Sequence, residues 1–315
     1  MALNGSPAPS AARPFPAGAL RLRRIDVWAL RVAIQRPVET SFGIMRDRPA
    51  VFLRVEGADG AFGFGEIWCN FPSCGAEHRV RMAVDELAPL LSGRDLASPA
   101  ETYALMWEKT RVRVLQTGEP GPYSQAIAGI DMALWDLAAR AAGRPLRHFI
   151  ADDAVDSVPA YASGIHIGIA ADVVPEFRAA GFRNFKVKVG FDTARDIAGI
   201  KALKATLKPG ERLFSDANQA WDLETALEFA QGARDLGLDW LEEPLRADAP
   251  AGDWARLAAE GGVPLAAGEN FMGVEDFDAA VAAGSLAYIQ PDMAKWGGVT
   301  GCLPVARAIL TDGRI

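Results

Sequence analysis

Two lysines and four acids recur in the second half of this chain at a nearly constant spacing. Lys186 and Lys188 stand in Phe185-Lys186-Val187-Lys188-Val189, Asp216 in Phe214-Ser215-Asp216-Ala217-Asn218, and Glu242 in Trp240-Leu241-Glu242-Glu243-Pro244. Glu269 follows in Ala267-Gly268-Glu269-Asn270 and Asp292 in Pro291-Asp292-Met293. From Lys188 onward the intervals are 28, 26, 27 and 23 residues, the length of one strand plus one helix. One strand-end acid is a solvated loop residue or a helix cap. Three in register repel one another unless a cation joins them, and hard oxygen ligands with open positions favour Mg²⁺, with Mn²⁺ as the alternative. Lys186 and Lys188, two residues apart on a strand, point the same way. Mutual repulsion and partial burial are expected to lower a lysine pKa towards the range of a general base. Together these groups suggest removal of a proton α to a carboxylate, with Lys188 taking the proton and the metal and Lys186 holding the developing charge.

Elements must bring such distant residues together. After about residue 156, short apolar runs alternate with helical stretches, the texture of βα units. Strands are expected at Val158–Ser163, Asn184–Val189, Arg212–Asp216, Asp239–Glu243, Pro264–Gly268 and Ala287–Asp292, with an amphipathic helix at Leu223–Leu236. In a β/α barrel the strand C-termini open on one face, so residues one unit apart stand side by side around one mouth. Before this region, period-two runs at residues 24–30, 51–55 and 61–66 predict a small antiparallel meander. Helical periodicity follows from about residue 76 to 142, closed by Gly143-Arg144-Pro145. The expected division is a disordered tail over 1–20, an α+β capping domain over 21–150 and a partial β/α barrel over 151–315.

With Lys186-Val187-Lys188, Asp216-Ala217-Asn218, Glu242-Glu243-Pro244, Gly268-Glu269-Asn270 and the run Pro291 to Gly301 in order, the sequence resembles the enolase superfamily, in its mandelate racemase and muconate lactonizing enzyme branch. The resemblance spans about residues 22 to 312 and implies an α+β cap over a (β/α)₇β barrel. It makes Asp216, Glu242 and Glu269 the Mg²⁺ ligands, Lys188 the base, Lys186 its partner at the substrate carboxylate, and Asn218 a neighbour of the substrate. The loops with Ser41 and Phe42, and with Trp68 and Phe71, are then the ones that shape specificity. Glu269 in place of Asp, and Asp292 where other groups place a lysine, point to the mandelate racemase subgroup, in which Asp292 pairs with a histidine from the seventh strand. The three histidines, His78, His148 and His166, all precede the second barrel strand; His166 is placed just after the first strand, where it could line the mouth. By that count the last strands of the barrel are missing, and the expectation is a C-terminally truncated chain with impaired second-face chemistry.

The implied activity is acid-sugar dehydration or α-hydroxy acid racemisation through an enolate. Two other readings stay open: a barrel aldolase with Lys188 as Schiff-base nucleophile, and an inactive relic or binding protein. Asp131 and Asp136 are read as holding the cap helix to the barrel, and Lys295 as structural or peripheral. The 33 basic and 40 acidic residues give a net charge of −7 without a basic stripe, which argues against nucleic acid as a partner. Three cysteines without CxxC spacing argue for a reducing compartment, the cytoplasm. No apolar run is long enough for a membrane span, and residues 1–20 lack the features of a signal peptide. The partner expected is a small carboxylate substrate, with a homo-oligomer left open by the family.

Overall fold

Period-two alternation near the N-terminus produces the meander, with longer strands than the apolar runs alone mark out. The structure, a computed structural model, describes residues 13–313. Strands β1 (Leu20–Thr40), β2 (Gly43–Gly57), β3 (Phe62–Ile67) and β4 (Asp95–Leu96) form an antiparallel sheet in the order β3-β2-β1-β4. The β1–β2 hairpin extends well beyond the core, and its register slips where Pro37 lacks a donor: Ala33 faces Asp47, but Val38 faces Met45. Beyond that slip an arm continues to the turn at residues 41–42.

The helix Pro120–Ala141 lies across this sheet at very short range. A Cβ at Gly65 would stand 2.1 Å from the Gly129 carbonyl oxygen, and one at Gly63 2.2 Å from that of Ala133. Glycine is what lets helix and strand backbones meet here. The apolar core under the sheet takes in Phe15 and Leu20 together with Leu53, Val55, Ile67, Ile127, Ile130 and Leu134. This corrects the expected tail over 1–20: Phe15 and Leu20 are buried, and Leu20 pairs with Leu96. The rest of that segment, residues 1–12, lies outside the described residues.

The second half forms a parallel sheet of β5 (Ala162–His166), β6 (Asn184–Lys188), β7 (Arg212–Asp216), β8 (Leu241–Glu242), β9 (Leu265–Ala267) and β10 (Tyr288–Ile289). Its order is sequential, β10-β9-β8-β7-β6-β5, as in the winding of a β/α barrel, with β5 and β10 at the edges among the described residues. Helices such as Leu223–Ala233 and Ala251–Gly261 cover its outer face and share its core, with Phe185, Phe229, Leu241 and Leu257 buried.

A buried polar cluster helps join the two halves. Asp131, fully buried on the helix Pro120–Ala141, accepts hydrogen bonds from the Thr300 backbone N–H at 2.9 Å and from its hydroxyl at 2.6 Å, and Trp135 Nε1 donates to the same hydroxyl. Asp131 thus holds cap to barrel. Asp136 does not: it accepts from the Phe64 N–H and from Arg140, and so ties the helix to its own sheet. No helix among the described residues is long and apolar enough to cross a membrane.

Candidate active site

The parallel ladder aligns the first four candidate groups. Lys188 lies opposite Asp216 and Asp216 opposite Glu242, so strand ends present all three on one side, with Lys186 two residues deeper. Lys188 Nζ donates to Asp216 Oδ2 at 2.5 Å. Lys186 Nζ donates to Glu242 Oε1 at 2.6 Å and stands 3.4 Å from Asp216 Oδ2. The other Glu242 oxygen accepts from Trp240 Nε1 at 3.1 Å and Gln290 Nε2 at 3.0 Å. Beneath them Tyr161, Phe214, Trp240 and Tyr288 close the floor; Phe214 and Trp240 stack at 3.9 Å, and Lys186 Nζ lies 5.1 Å from the centre of the Tyr161 ring.

These charges sit almost out of water, so partners decide protonation. Burial pushes Asp216 towards its neutral form, but Lys188 and Lys186 outweigh it and hold the carboxyl below its ordinary value. Glu242 is pushed up by burial and by Asp216, which Lys186 only partly offsets. Burial alone would lower Lys186, yet Asp216 and Glu242 outweigh it and hold the ammonium above the usual lysine range. That reverses the expected fall of a lysine pKa: the attraction of two buried carboxylates exceeds the combined effect of desolvation and lysine repulsion.

Glu269 departs from the expected nest. It follows Gly268, whose φ of 143° only glycine adopts readily and where a Cβ would stand 2.6 Å from the Gln290 nitrogen. Its Oε1 accepts from Lys295 Nζ at 3.2 Å, and that ammonium also donates to Asn270 Oδ1 at 2.8 Å. Lys295 therefore belongs to the mouth, which corrects its reading as peripheral; the turn after β10 carries it back over β9. Among the described residues no three His, Cys, Asp or Glu side chains are gathered closely enough to hold one ion. The expected convergence of 216, 242 and 269 is thus corrected in its geometry. Like charges repel, and each carboxylate turns to the lysine nearest it.

The donor chemistry still fits a hard cation. Asn218 Oδ1, Glu243 Oε2 and Gln290 Oε1 are buried oxygens without a hydrogen-bond partner, all on segments that carry or touch the acids. Glu243 is pushed up by burial and by Glu269. The non-glycine residues with positive φ, Asn218 at 45°, Gln219 at 63° and Glu243 at 42°, flank Asp216 and Glu242. Strained backbone at such a place is what a functional mouth concentrates.

The loops close over this group. Ser41, at the hairpin tip, donates to the Asn218 carbonyl at 2.8 Å, while exposed Phe42 packs edge-on against Phe71 at 5.2 Å. Trp68 lies with its ring 5.1 Å from Lys295 Nζ. His166 is the last residue of β5, in register with Lys188, rather than a residue after the strand; its Nδ1 accepts from the Gly168 N–H and its ring lies on Phe191. Asp292, three residues beyond β10, caps the following turn by accepting from the N–H groups of Ala294 and Lys295. The histidines are engaged elsewhere: His78 with Glu119, His148 3.9 Å from Asp156, and His166 as described. Sequence reasoning missed Trp240, Gln290 and Tyr161, and set Lys295 aside. Of these, Trp240, two residues before Glu242, and Gln290, two residues before Asp292, carried a signal that period-two alternation could have revealed.

Residues 24–151 match the family described as mandelate racemase / muconate lactonizing enzyme, N-terminal domain, and residues 169–313 that described as enolase C-terminal domain-like. A 3,6-anhydro-α-L-galactonate cycloisomerase of Streptomyces coelicolor is 35% identical over 277 residues, covering 86% of this chain and 74% of the relative. Other relatives are named as acid-sugar cycloisomerases and dehydratases. A mandelate racemase/muconate lactonizing enzyme structure from Bordetella bronchiseptica superposes with a TM-score of 0.88 at 49% identity, over 94% of this chain and 78% of that one. An enolase from Bradyrhizobium, complexed with magnesium and mandelic acid, superposes with a TM-score of 0.83 at 29% identity, over 94% and 80%.

Proposed function

Because the chain belongs to the mandelate racemase/muconate lactonizing enzyme family of the enolase superfamily, we propose that it is a Mg²⁺-dependent enzyme that removes the proton α to the carboxylate of an acid sugar and then expels the oxygen on the β carbon. The observation that carries this reading is the pairing of Lys188 with Asp216 and of Lys186 with Glu242 on neighbouring strand ends. Asp216, Glu242 and Glu269 would hold the metal, Mg²⁺ or, as the alternative, Mn²⁺, which when bound supplies fixed positive charge for the enolate.

The chain's own groups do the rest. Lys188, as the free amine, takes the α-proton; the Cα–H electron pair moves onto the carboxylate carbon and its oxygens, beside the Lys186 ammonium. The pair then returns as the Cα–Cβ double bond forms and the Cβ–O bond breaks, the departing oxygen taking a proton from water. An anhydro ring opens by this step, and an open-chain acid sugar loses water. Asn218, with its carbonyl held by Ser41, would contact the substrate, and Phe42, Trp68 and His166 would border it. Asp292 holds the turn that delivers Lys295. The aldolase alternative, with Lys188 as a Schiff-base nucleophile, draws no support from the relatives.

The test is wash-in of solvent deuterium at the α carbon of a panel of aldonates and aldarates, followed by NMR. Exchange that requires Mg²⁺, stops with EDTA, and falls about 10³-fold in Lys188→Ala supports the proposal. Exchange or turnover indifferent to EDTA and to Lys188→Ala would sink it.

A further inference from the structure

Asp216 and Glu242 are aimed by the strands that contain them; Glu269 is not. It lies two residues beyond β9, where no ladder sets its direction, and its side chain is 34% exposed. What holds it is Lys295, through Glu269 Oε1 at 3.2 Å. The same ammonium donates to Asn270 Oδ1, and Asn270 Nδ2 donates to Glu243 Oε1 at 2.7 Å, so one lysine braces two adjacent side chains of this loop. Lys295 is in turn braced from three sides. The turn capped by Asp292 carries its backbone, Glu269 and Asn270 accept its hydrogen bonds, and the Trp68 ring covers Nζ at 5.1 Å. Trp68 belongs to the loop after β3, in the other half of the molecule.

We propose that Lys295 is a positioning residue that ties the seating of the Trp68 loop to the orientation of Glu269, so that a loop of the N-terminal domain tunes how tightly the mouth holds its divalent cation. This rests on the assignment of Glu269 as a metal ligand. A lysine side chain has considerable rotamer freedom to lose, and a cation–π contact that confines it passes order to the carboxylate it holds. Lys295 engages only Oε1, which leaves Oε2 for another partner. Its positive charge opposes a second cation nearby, but that charge already faces Glu269, Asn270 and the negative face of the indole. Orientation therefore outweighs repulsion.

The experiment is calorimetric titration of Mg²⁺ into the full chain without substrate, with metal-free thermal unfolding to check that each variant folds. Lys295→Met is expected to weaken binding about tenfold, as loss of a group that orients a ligand does. Trp68→Leu is expected to weaken it about threefold, while Trp68→Phe, which keeps an aromatic face, stays within about twofold. Trp68→Leu should add nothing once Lys295→Met is present. If Lys295→Met does not fold, the comparison of Trp68→Leu with Trp68→Phe decides alone. An equal effect of Trp68→Leu in both backgrounds, or none in either, overturns the coupling while leaving the metal site intact. Failure of the unaltered chain to bind Mg²⁺ removes the functional reading and this inference with it.

Discussion

Asp216 at the mouth and Asp131 at the seam between the halves are the same residue type, equally buried, and their surroundings drive them in opposite directions. Asp216 has two ammonium groups within reach and is held ionised in spite of burial. Asp131 has the hydroxyl and backbone N–H of Thr300, which cannot offset desolvation, and its carboxyl is pushed up to about 7. Burial alone is therefore no sign of chemistry. A buried acid surrounded by cations forms a charged site that can act on an anion, whereas a buried acid facing neutral donors works as a latch.

The strongest way to break this contrast is to remove a cation from the mouth. Lys186→Met leaves Glu242 with only the Trp240 and Gln290 donors and leaves Asp216 with Lys188 as its one cation beside the Asn218 N–H. Breaking a buried pair by removing one partner should cost about 3 kcal/mol. Urea unfolding of Lys186→Met beside Lys186→Met/Glu242→Gln would read this, with the second change recovering part of the loss. No loss in the single variant would mean that the mouth tolerates an unpaired buried carboxylate, and the contrast with the seam would disappear.

The seam offers the next largest effect, and it depends on pH. Asp131 binds its proton more tightly folded than unfolded, where the ordinary value is 3.8. Its contribution is fully present below that value and is lost as pH rises through about 7, so stability should fall across this window by a few kcal/mol. Asp131→Asn keeps the shape without the titration. Urea midpoints at intervals from pH 4 to 8 should show a slope in the unaltered chain that is shallower in the variant, where only the raised Glu242 and Glu243 still contribute; identical slopes would place the titration elsewhere.

The two regions also differ in how far sequence reveals them. Lys186, Lys188, Asp216 and Glu242 were legible because a strand alternates with period two and a barrel repeats once per βα unit, so their mutual placement follows from local periodicity. β5 was displaced by four residues at its start because Gly164, at φ 74°, accompanies a register shift between Ala162 and Ile165 that breaks the alternation. Glu269 was assigned to the same ring, but a loop carries it and Lys295 aims it. The contacts of Lys295 with Trp68 and of Asp131 with Thr300 join segments far apart in the chain, and neither has a periodic signature. The phenylalanine and leucine near residue 15–20 lacked a partner in sequence as well; the strand Asp95–Leu96 that covers them is only two residues long.

The smallest expected effect sharpens the boundary between the mouth and its floor. Trp240 has two roles: its ring stacks on Phe214, and its Nε1 donates to Glu242. Trp240→Phe keeps an aromatic face on Phe214 and removes one donor from a carboxylate that retains Lys186 and Gln290, so the loss should be about 1 kcal/mol. Trp240→Leu abandons the stack as well and leaves space among Tyr161, Phe214 and Tyr288, and about 2 kcal/mol is expected. Denaturant unfolding of both variants separates the contributions. Equal losses would show that the hydrogen bond and not the stack is the stabilising element, and that the aromatic floor is part of the charged network above it. A clear gap between the two would show a mouth whose charges are balanced among lysines and acids, resting on a floor that contributes chiefly by filling space and excluding water.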